Sequence, residues 1–241
     1  MMNRLLPIVV LAAACRAPDS DKTGFRIPED TAAEPDTAVD AEPVTATIRI
    51  LDPTNGQGMS GISLTGSGVA ATTDASGQAD AEISGMSDFE FLLEGEGVLD
   101  HVLYGEAQDE DFSLITYVGT EAMSEMVLQM LNLSVSPQSG MLVVGVDTTS
   151  WAPVVGAEVR ILGQQGTAFV IGSTGMPALG QSIPSGGMGM VSFAGLVQGE
   201  VEVEVTAPAG FECAPHPGGA YTQVPIYERT VTVVSVQCTA G

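Results

Sequence analysis

The sequence is poor in positive charge: of 241 residues only 7 are lysine or arginine, against 30 aspartates and glutamates, for a formal net charge of -23. The cations are isolated, at Arg4, Arg16, Lys22, Arg26, Arg49, Arg160 and Arg229. Without a basic patch to neutralise phosphates, nucleic acid is excluded as a partner. Charge alone would also repel the chain from an anionic membrane surface. Lys22 is the sole lysine, so a glycine-rich phosphate loop completed by its lysine is ruled out. Cysteine is limited to Cys15, Cys213 and Cys238. No Cys-x-x-Cys spacing supports redox catalysis, and two cysteines alone make a poor zinc site. Gly172-Ser173-Thr174-Gly175 and Ser185-Gly186-Gly187 lack the Gly-x-Ser-x-Gly arrangement of a nucleophile elbow, and no ordered base accompanies them. Long apolar runs are missing too. The stretch 5–11, which follows Arg4, is too short for a membrane-spanning helix.

What that stretch does fit is an export signal. A positive start at Arg4, an apolar core and the small residues Ala12, Ala13 and Ala14 give the order of a signal peptide. Cys15 follows directly, and Leu11-Ala12-Ala13-Ala14-Cys15 resembles the lipobox of bacterial lipoproteins. The resemblance implies removal of residues 1–14 and diacylglycerol on the Cys15 thiol. It places the protein in the cell envelope, outside the cytoplasm, held at the membrane through its N-terminal lipid. The outer membrane is the favoured compartment. An ordinary secreted protein with Cys15 near its cleavage site is the alternative. Residues 15–43 read as an acidic tether: Pro18, Pro28, Pro35 and Pro43 interrupt it, and eight acidic residues solvate it, with few apolar groups to offset ordering entropy. In an exported chain Cys213 and Cys238 form an even pair, read as a disulfide, with a reduced buried pair as the alternative.

Beyond the tether the chain is a series of short alternating strands with glycine turns. Phe89, Phe91 and Leu93 fall on one face with Glu90 and Glu94 on the other; Val201, Val203 and Val205 alternate with Glu202 and Glu204. Such alternation fits sheets packed on one side and wet on the other. Similar patterns mark residues 45–51, 62–64, 79–83, 102–104, 112–118, 141–146, 158–161, 190–193 and 230–236, and the run Gln108-Asp109-Glu110-Asp111 reads as a solvated hairpin loop. Gly77 and Gly85 repeat the spacing of Gly187 and Gly195, and Phe89, Phe91 and Leu93 that of Gly199, Val201 and Val203. Repetition at this scale favours two related modules, at 44–119 and 137–241. The expected fold is all-β, with two small Ig-like or transthyretin-like β-sandwich modules and one short linking helix. That helix and its connector occupy 120–136, with Thr120 as cap. Ala122, Met123, Met126, Val127, Met130 and Leu131 form its apolar stripe, expected to pack on the first sandwich, with a groove for a ligand or partner as the lesser reading because methionines adapt to irregular surfaces. The segment 175–189 reads as a long mobile loop.

The second module carries a family resemblance. Ala152-Pro153-Val154-Val155-Gly156-Ala157-Glu158-Val159-Arg160-Ile161, then Gly189 to Gly199, then Val205-Thr206-Ala207-Pro208-Ala209-Gly210-Phe211, resemble a carboxypeptidase regulatory-like (transthyretin-like) domain. The first module keeps Thr73-Asp74-Ala75-Ser76-Gly77 and Gly85-Met86 but lacks the Ala-Pro loop, so it matches less well. The resemblance implies accessory or surface β-sandwiches without a shared catalytic apparatus.

Three chemistries would depart from this. Asp74 to Asp80 supplies oxygen ligands but lacks the EF-hand spacing and its final glutamate, so Asp74 is read as organising a turn, with calcium as the lesser reading. A two-histidine, two-tyrosine iron site would need His101 and His216 together, with members of the set Tyr104, Tyr117, Tyr221 and Tyr227. Trp151 and Tyr221 would provide stacking faces for a glycan or peptide if exposed, with burial expected for both. The expectations are therefore no catalytic residues, no metal site and no cofactor. The leading function is a non-catalytic, lipid-anchored binding or envelope-organising protein, with an envelope protein, peptide or glycan as partner. A carbohydrate- or peptide-binding accessory protein and an enzyme with an unrecognised site are the alternatives.

Overall fold

The computed structural model describes residues 42–241. Cys15, the leader and nearly all of the tether lie outside the described residues. The first seven strands are β1 (Pro43–Leu51), β2 (Ser63–Gly66), β3 (Val69–Thr72), β4 (Gln78–Ser84), β5 (Asp88–Glu94), β6 (His101–Glu106) and β7 (Phe112–Tyr117). Helix α1 (Glu121–Met130) leads to β8 (Gly140–Thr148), β9 (Glu158–Leu162), β10 (Thr167–Ile171), β11 (Pro177–Leu179) and β12 (Met190–Leu196). The chain closes with β13 (Gly199–Thr206), β14 (Phe211–His216), β15 (Val224–Ile226) and β16 (Val231–Ala240).

These strands make two sandwiches. In the first, β4-β1-β7 faces β3-β2-β5-β6; in the second, β15-β13-β9 faces a layer built on β11-β10-β12-β8-β16, with β14 on β16. The repeat seen in the glycine spacing recurs in the pairing. β1 lies antiparallel to β4 and parallel to β7, and β8 lies antiparallel to β12 and parallel to β16. Alternation sets the faces: Ala79, Ala81 and Ile83 of β4 are buried while the residues between them are exposed. In β5, Phe89 and Phe91 stack with ring centroids 5.2 Å apart. Phe89 lies opposite Gly105 of β6, where a Cβ would come within 2.7 Å of its ring. The missing side chain makes room for the phenyl group.

The two sandwiches share a strand. One edge of β16 pairs with β8; the other pairs first with β6, through Val231 to Val233, and then with β14. A continuous sheet therefore runs from β11 to β3. Successive side chains of a strand point to opposite faces, and here the faces serve different cores. Val231 and Val233 pack with Ile48, Phe91 and Leu103 in the first core. Val234, Val236 and Cys238 pack with Leu142, Val144 and Phe193 in the second. That double duty explains why 231–236 are all buried and why the segment is rich in valine.

Helix α1 begins where its cap demands, with Thr120 Oγ1 accepting from Met123 N at 3.2 Å. Its placement corrects the expectation from sequence. The helix packs through Val127, Leu128 and Leu131 onto Phe169, Ala194, Met141 and Ile171, all from the second sandwich. Met126 and Met130, assigned to the buried stripe, are 53% and 44% exposed. The Met-rich stripe is wide enough to offer two faces, and the sheet took the one centred on Val127. The run 108–111 also differs from the hairpin loop expected: β6 and β7 belong to different sheets, so the segment crosses between layers. The strands β3, β10, β11, β14 and β15 were not legible as strands. β11 falls inside the segment read as a loop, and β14 carries Pro215, which its edge position tolerates.

Candidate functional site at the seam between the sandwiches

The shared strand brings distant segments against one another. Tyr227 donates to Glu90 Oε2 at 2.8 Å, 137 residues away. His216 Nε2 donates to the Ser113 carbonyl at 2.9 Å, and Val231 N to the Asp100 carbonyl at 3.0 Å. Burial and a carboxylate partner both raise the Tyr227 phenol, so it stays a donor. Three pieces of this seam have chemical character.

The first is aromatic. His216 sits edge-on between Phe112 and Trp151, with centroids at 6.5 and 5.8 Å. Burial lowers its basicity, partly opposed by the Ser113 hydrogen bond, and a neutral imidazole packs there without an unpaired charge. Trp151 adopts φ +61°, a left-handed conformation costly for a bulky residue. Trp151 is half-buried rather than fully buried. Tyr221, by contrast, is buried and donates to the Ser235 carbonyl at 2.7 Å. Of the two aromatics considered as stacking faces, only Trp151 offers surface.

The second is a small cavity of about 30 Å³ lined by residues of β7, β8 and β16. Asp147, Thr116 and Ser235 supply its polar groups, and Gly145 leaves open space in the middle of β8. The Thr116 hydroxyl is buried with no hydrogen-bond partner among the described residues. Asp147 lies against Gly189, where a Cβ would come within 2.6 Å of its carboxylate. Burial pushes the Asp147 carboxyl up to about 6. Its folded value thus exceeds the unfolded one, so the neutral acid suits the fold and ionisation opposes it. The penalty is absent below the unfolded pKa, grows as pH rises towards about 6, and is complete above that. Asp147→Asn should leave stability unchanged near pH 4 and raise it at pH 7.5. About 1–2 kcal/mol is expected, after discounting the burial penalty for partial exposure. Urea unfolding of both proteins at the two pH values checks this; an equal gain at pH 4 would assign the effect to packing.

The third is a groove between α1 and the sheet, holding about 110 Å³ of open space. Met123, Met141, Met188 and Met190 line it with Phe169, and His101 closes its floor. His101 is 4% exposed, and its Nδ1 donates to the Leu99 carbonyl at 2.6 Å. Burial holds its pKa down at about 4 against the raising effect of that bond.

The residues singled out from sequence are placed as follows. Asp74 Oδ1 accepts from Ser76 N, Ser76 Oγ and Gln78 N, at 2.8, 2.7 and 3.0 Å, organising the turn before β4. These bonds lower its pKa, that from Gln78 N most. Cys213 and Cys238 are joined in a disulfide between facing residues of β14 and β16. The histidines are not brought together: His101 is level with Val231 along β16, and His216 with Ser235, four residues on. Tyr104 and Tyr221 approach at 6.4 Å between centroids, but Tyr221 spends its hydroxyl on backbone carbonyls. Among the described residues no group of three or more His, Cys, Asp or Glu is placed to hold a metal ion. Asp147 and Thr116 were missed, and a groove at the helix was only the lesser expectation. The available signal was the second face of β8, where Met141, Val143 and Gly145 stand instead of the charged residues of a wet face.

No protein-family model matches the chain, and no curated protein matches it. Among solved structures it is similar to a minor pilin of Streptococcus agalactiae, at 15% identity and a TM-score of 0.31, over 82% of this chain and 96% of that one. The TIE protein of Bacillus anthracis aligns at 14% identity and a TM-score of 0.29, over 81% of this chain; the match spans about a third of that protein's length, 34%. A shaft pilin of Lactobacillus rhamnosus GG aligns at 10% identity and a TM-score of 0.25, over 83% of this chain and 98% of that one. Among the described residues no helix is long and apolar enough to cross a membrane.

Proposed function

We propose that the chain is a lipid-anchored, extracytoplasmic protein without catalytic activity, which displays two coupled β-sandwiches for binding or for organising the cell envelope. The observation that carries this reading is β16, whose opposite faces complete both cores. A partner gripping one sandwich would be held in fixed register with the other. The lipobox-like Cys15 and the acidic tether support an anchor at the membrane, with the tether's charge keeping it solvated. The disulfide supports an oxidising compartment. Intact-mass analysis of protein extracted from membranes should find a chain beginning at Cys15 and carrying diacylglycerol, and crosslinking in envelopes should recover a reproducible partner. A mature species lacking Cys15, or turnover of a defined substrate without any partner, would contradict the reading.

Trp151 favours a second reading, a glycan- or peptide-binding accessory protein, because a half-exposed indole in a costly backbone conformation suits a stacking contact. It is the only tryptophan, so intrinsic fluorescence reports on this face alone. Saturable quenching by envelope oligosaccharides or peptides would select this reading over the first.

A further inference from the structure

We propose that the His101 end of the groove under α1 binds a small neutral phenol, its ring in the slot between His101 and Met141 and its hydroxyl donating to His101 Nε2. The strand register defines that slot. His101 lies opposite Val231 of β16, and Val231 lies opposite Met141 of β8. Residues directly opposite share a face of the sheet, and two strand spacings, roughly 10 Å, separate His101 from Met141. Valine, a short side chain, forms the base between them. The helix covers the Met141 side, where Ser124 Oγ donates to Met141 Sδ at 3.6 Å. On the His101 side, Leu99 accepts from His101 Nδ1 at 2.6 Å and donates through its own N to the Gly119 carbonyl at 3.1 Å. A Cβ on Gly119 would lie 3.9 Å from Met123 Sδ. His101, Met123 and Met141 are thus tied to one end of the groove. Met190 is not, because it lies opposite Gly145, four residues further along β8.

The chemistry of this end selects the ligand. With Nδ1 donating to a carbonyl, Nε2 is the lone-pair nitrogen, and it has no hydrogen-bond partner among the described residues. His101 is 4% exposed and lines the groove, so an unpaired acceptor is committed to a largely apolar space. Burial keeps the imidazole neutral at pH 7, so Nε2 accepts and a ligand must donate. A donor placed there recovers a hydrogen bond that the buried acceptor otherwise forgoes. No aspartate, glutamate, lysine or arginine lines the groove. A charged ligand would lose its water without gaining a counter-ion, which restricts the occupant to neutral molecules. The thioethers of Met123 and Met141 favour an aromatic ring over an alkyl chain, because sulfur makes attractive contacts with ring edges. The open space of about 110 Å³ is of the order of the ~150 Å³ that accommodates benzene in an apolar cavity. A single ring carrying one hydroxyl meets all these conditions. A free small molecule is assigned, since the recess has room for one ring and no charged lining to hold a longer chain.

NMR titration of the full chain with p-cresol tests this, using methyl-labelled methionine and nitrogen-15-labelled histidine. The ε-methyl signals of Met123 and Met141 and the His101 Nε2 resonance should move together and saturate, with half-saturation at about 1 mM or below. Met190, at the far end of the groove, should stay in place, as should Met86 and Met176, 63% and 54% exposed. Toluene lacks the donor and should bind about tenfold more weakly, and benzylammonium should leave these signals unmoved. Gly119→Leu, where a Cβ meets only Met123 Sδ, should fill the slot and abolish the response in a protein that melts like the parent. His101→Phe, if it folds, should erase the preference for p-cresol over toluene. Absence of a saturable shift, shifts spread over all the methionines, or equal affinity for toluene in the native chain would each overturn the proposal. So would an undiminished response in folded Gly119→Leu. Saturation by a tyrosine-containing peptide but not by p-cresol would assign the recess to a partner protein and overturn it too.

Discussion

Phe91→Ala should destabilise the folded unit by about 3–5 kcal/mol, the largest effect expected of any single substitution considered. Phe91 is fully buried in the first core and stacks on Phe89, which in turn stacks on Phe112 at 5.6 Å. Truncation leaves a cavity flanked by rings that pack against one another and collapse poorly into the gap. The consequence should not stop at the first sandwich. Val231 and Val233 belong to the same core, and the strand that carries them presents Val234 and Val236 to the second. Loss of the first core therefore strips β16 of half its burial and of its pairing with β6. Urea unfolding gives the free-energy change, and a loss below about 1 kcal/mol would mean the core repacks, contrary to the cavity cost cited.

Removing the disulfide should be the next largest effect. Cys213 and Cys238 are separated by 25 residues, a loop whose closure is worth about 3 kcal/mol on the chain-entropy estimate. For a folded unit of this size that corresponds to a melting temperature lower by roughly 6–12 °C. The crosslink also has a local task. Among the described residues β14 pairs only with β16, and its last residue, His216, touches Phe112, Ser113 and Trp151. Cys213→Ala with Cys238→Ala should therefore lower the melting temperature and change the emission of Trp151 before the main transition. An unchanged melting temperature would show that cross-strand pairing alone secures β14.

The strands that sequence reveals best are those with one wet face. Val201 and Glu202, or Phe89 and Glu90, announce both strand and face, because water on one side imposes the period of two. The cap at Thr120 is similarly local and was legible. What resisted reading depends on pairing. The run Val231-Thr232-Val233-Val234-Ser235-Val236 marks a buried strand, but nothing in it names β6 and β8 as neighbours, so the sheet continuous across both sandwiches stayed hidden. The helix was misplaced for a related reason: a stripe of methionines says that a face is buried, and not by what. Asp147 and His101 acquire their character from burial created by segments far away in the chain. Their altered basicity is a property of the seam and has no local motif.

The central claim is that β16 makes one cooperative unit of two sandwiches, and Trp151 allows it to be tested. Trp151 follows β8 in the second sandwich, whereas Phe91 lies in the first. Denaturation of the native chain and of Phe91→Ala, followed together by Trp151 fluorescence and far-ultraviolet circular dichroism, is the direct measurement. Coincident transitions in each protein, with the same shift in midpoint for both signals, are the predicted result. A Trp151 transition left in place while part of the circular dichroism signal is lost at lower denaturant would contradict it.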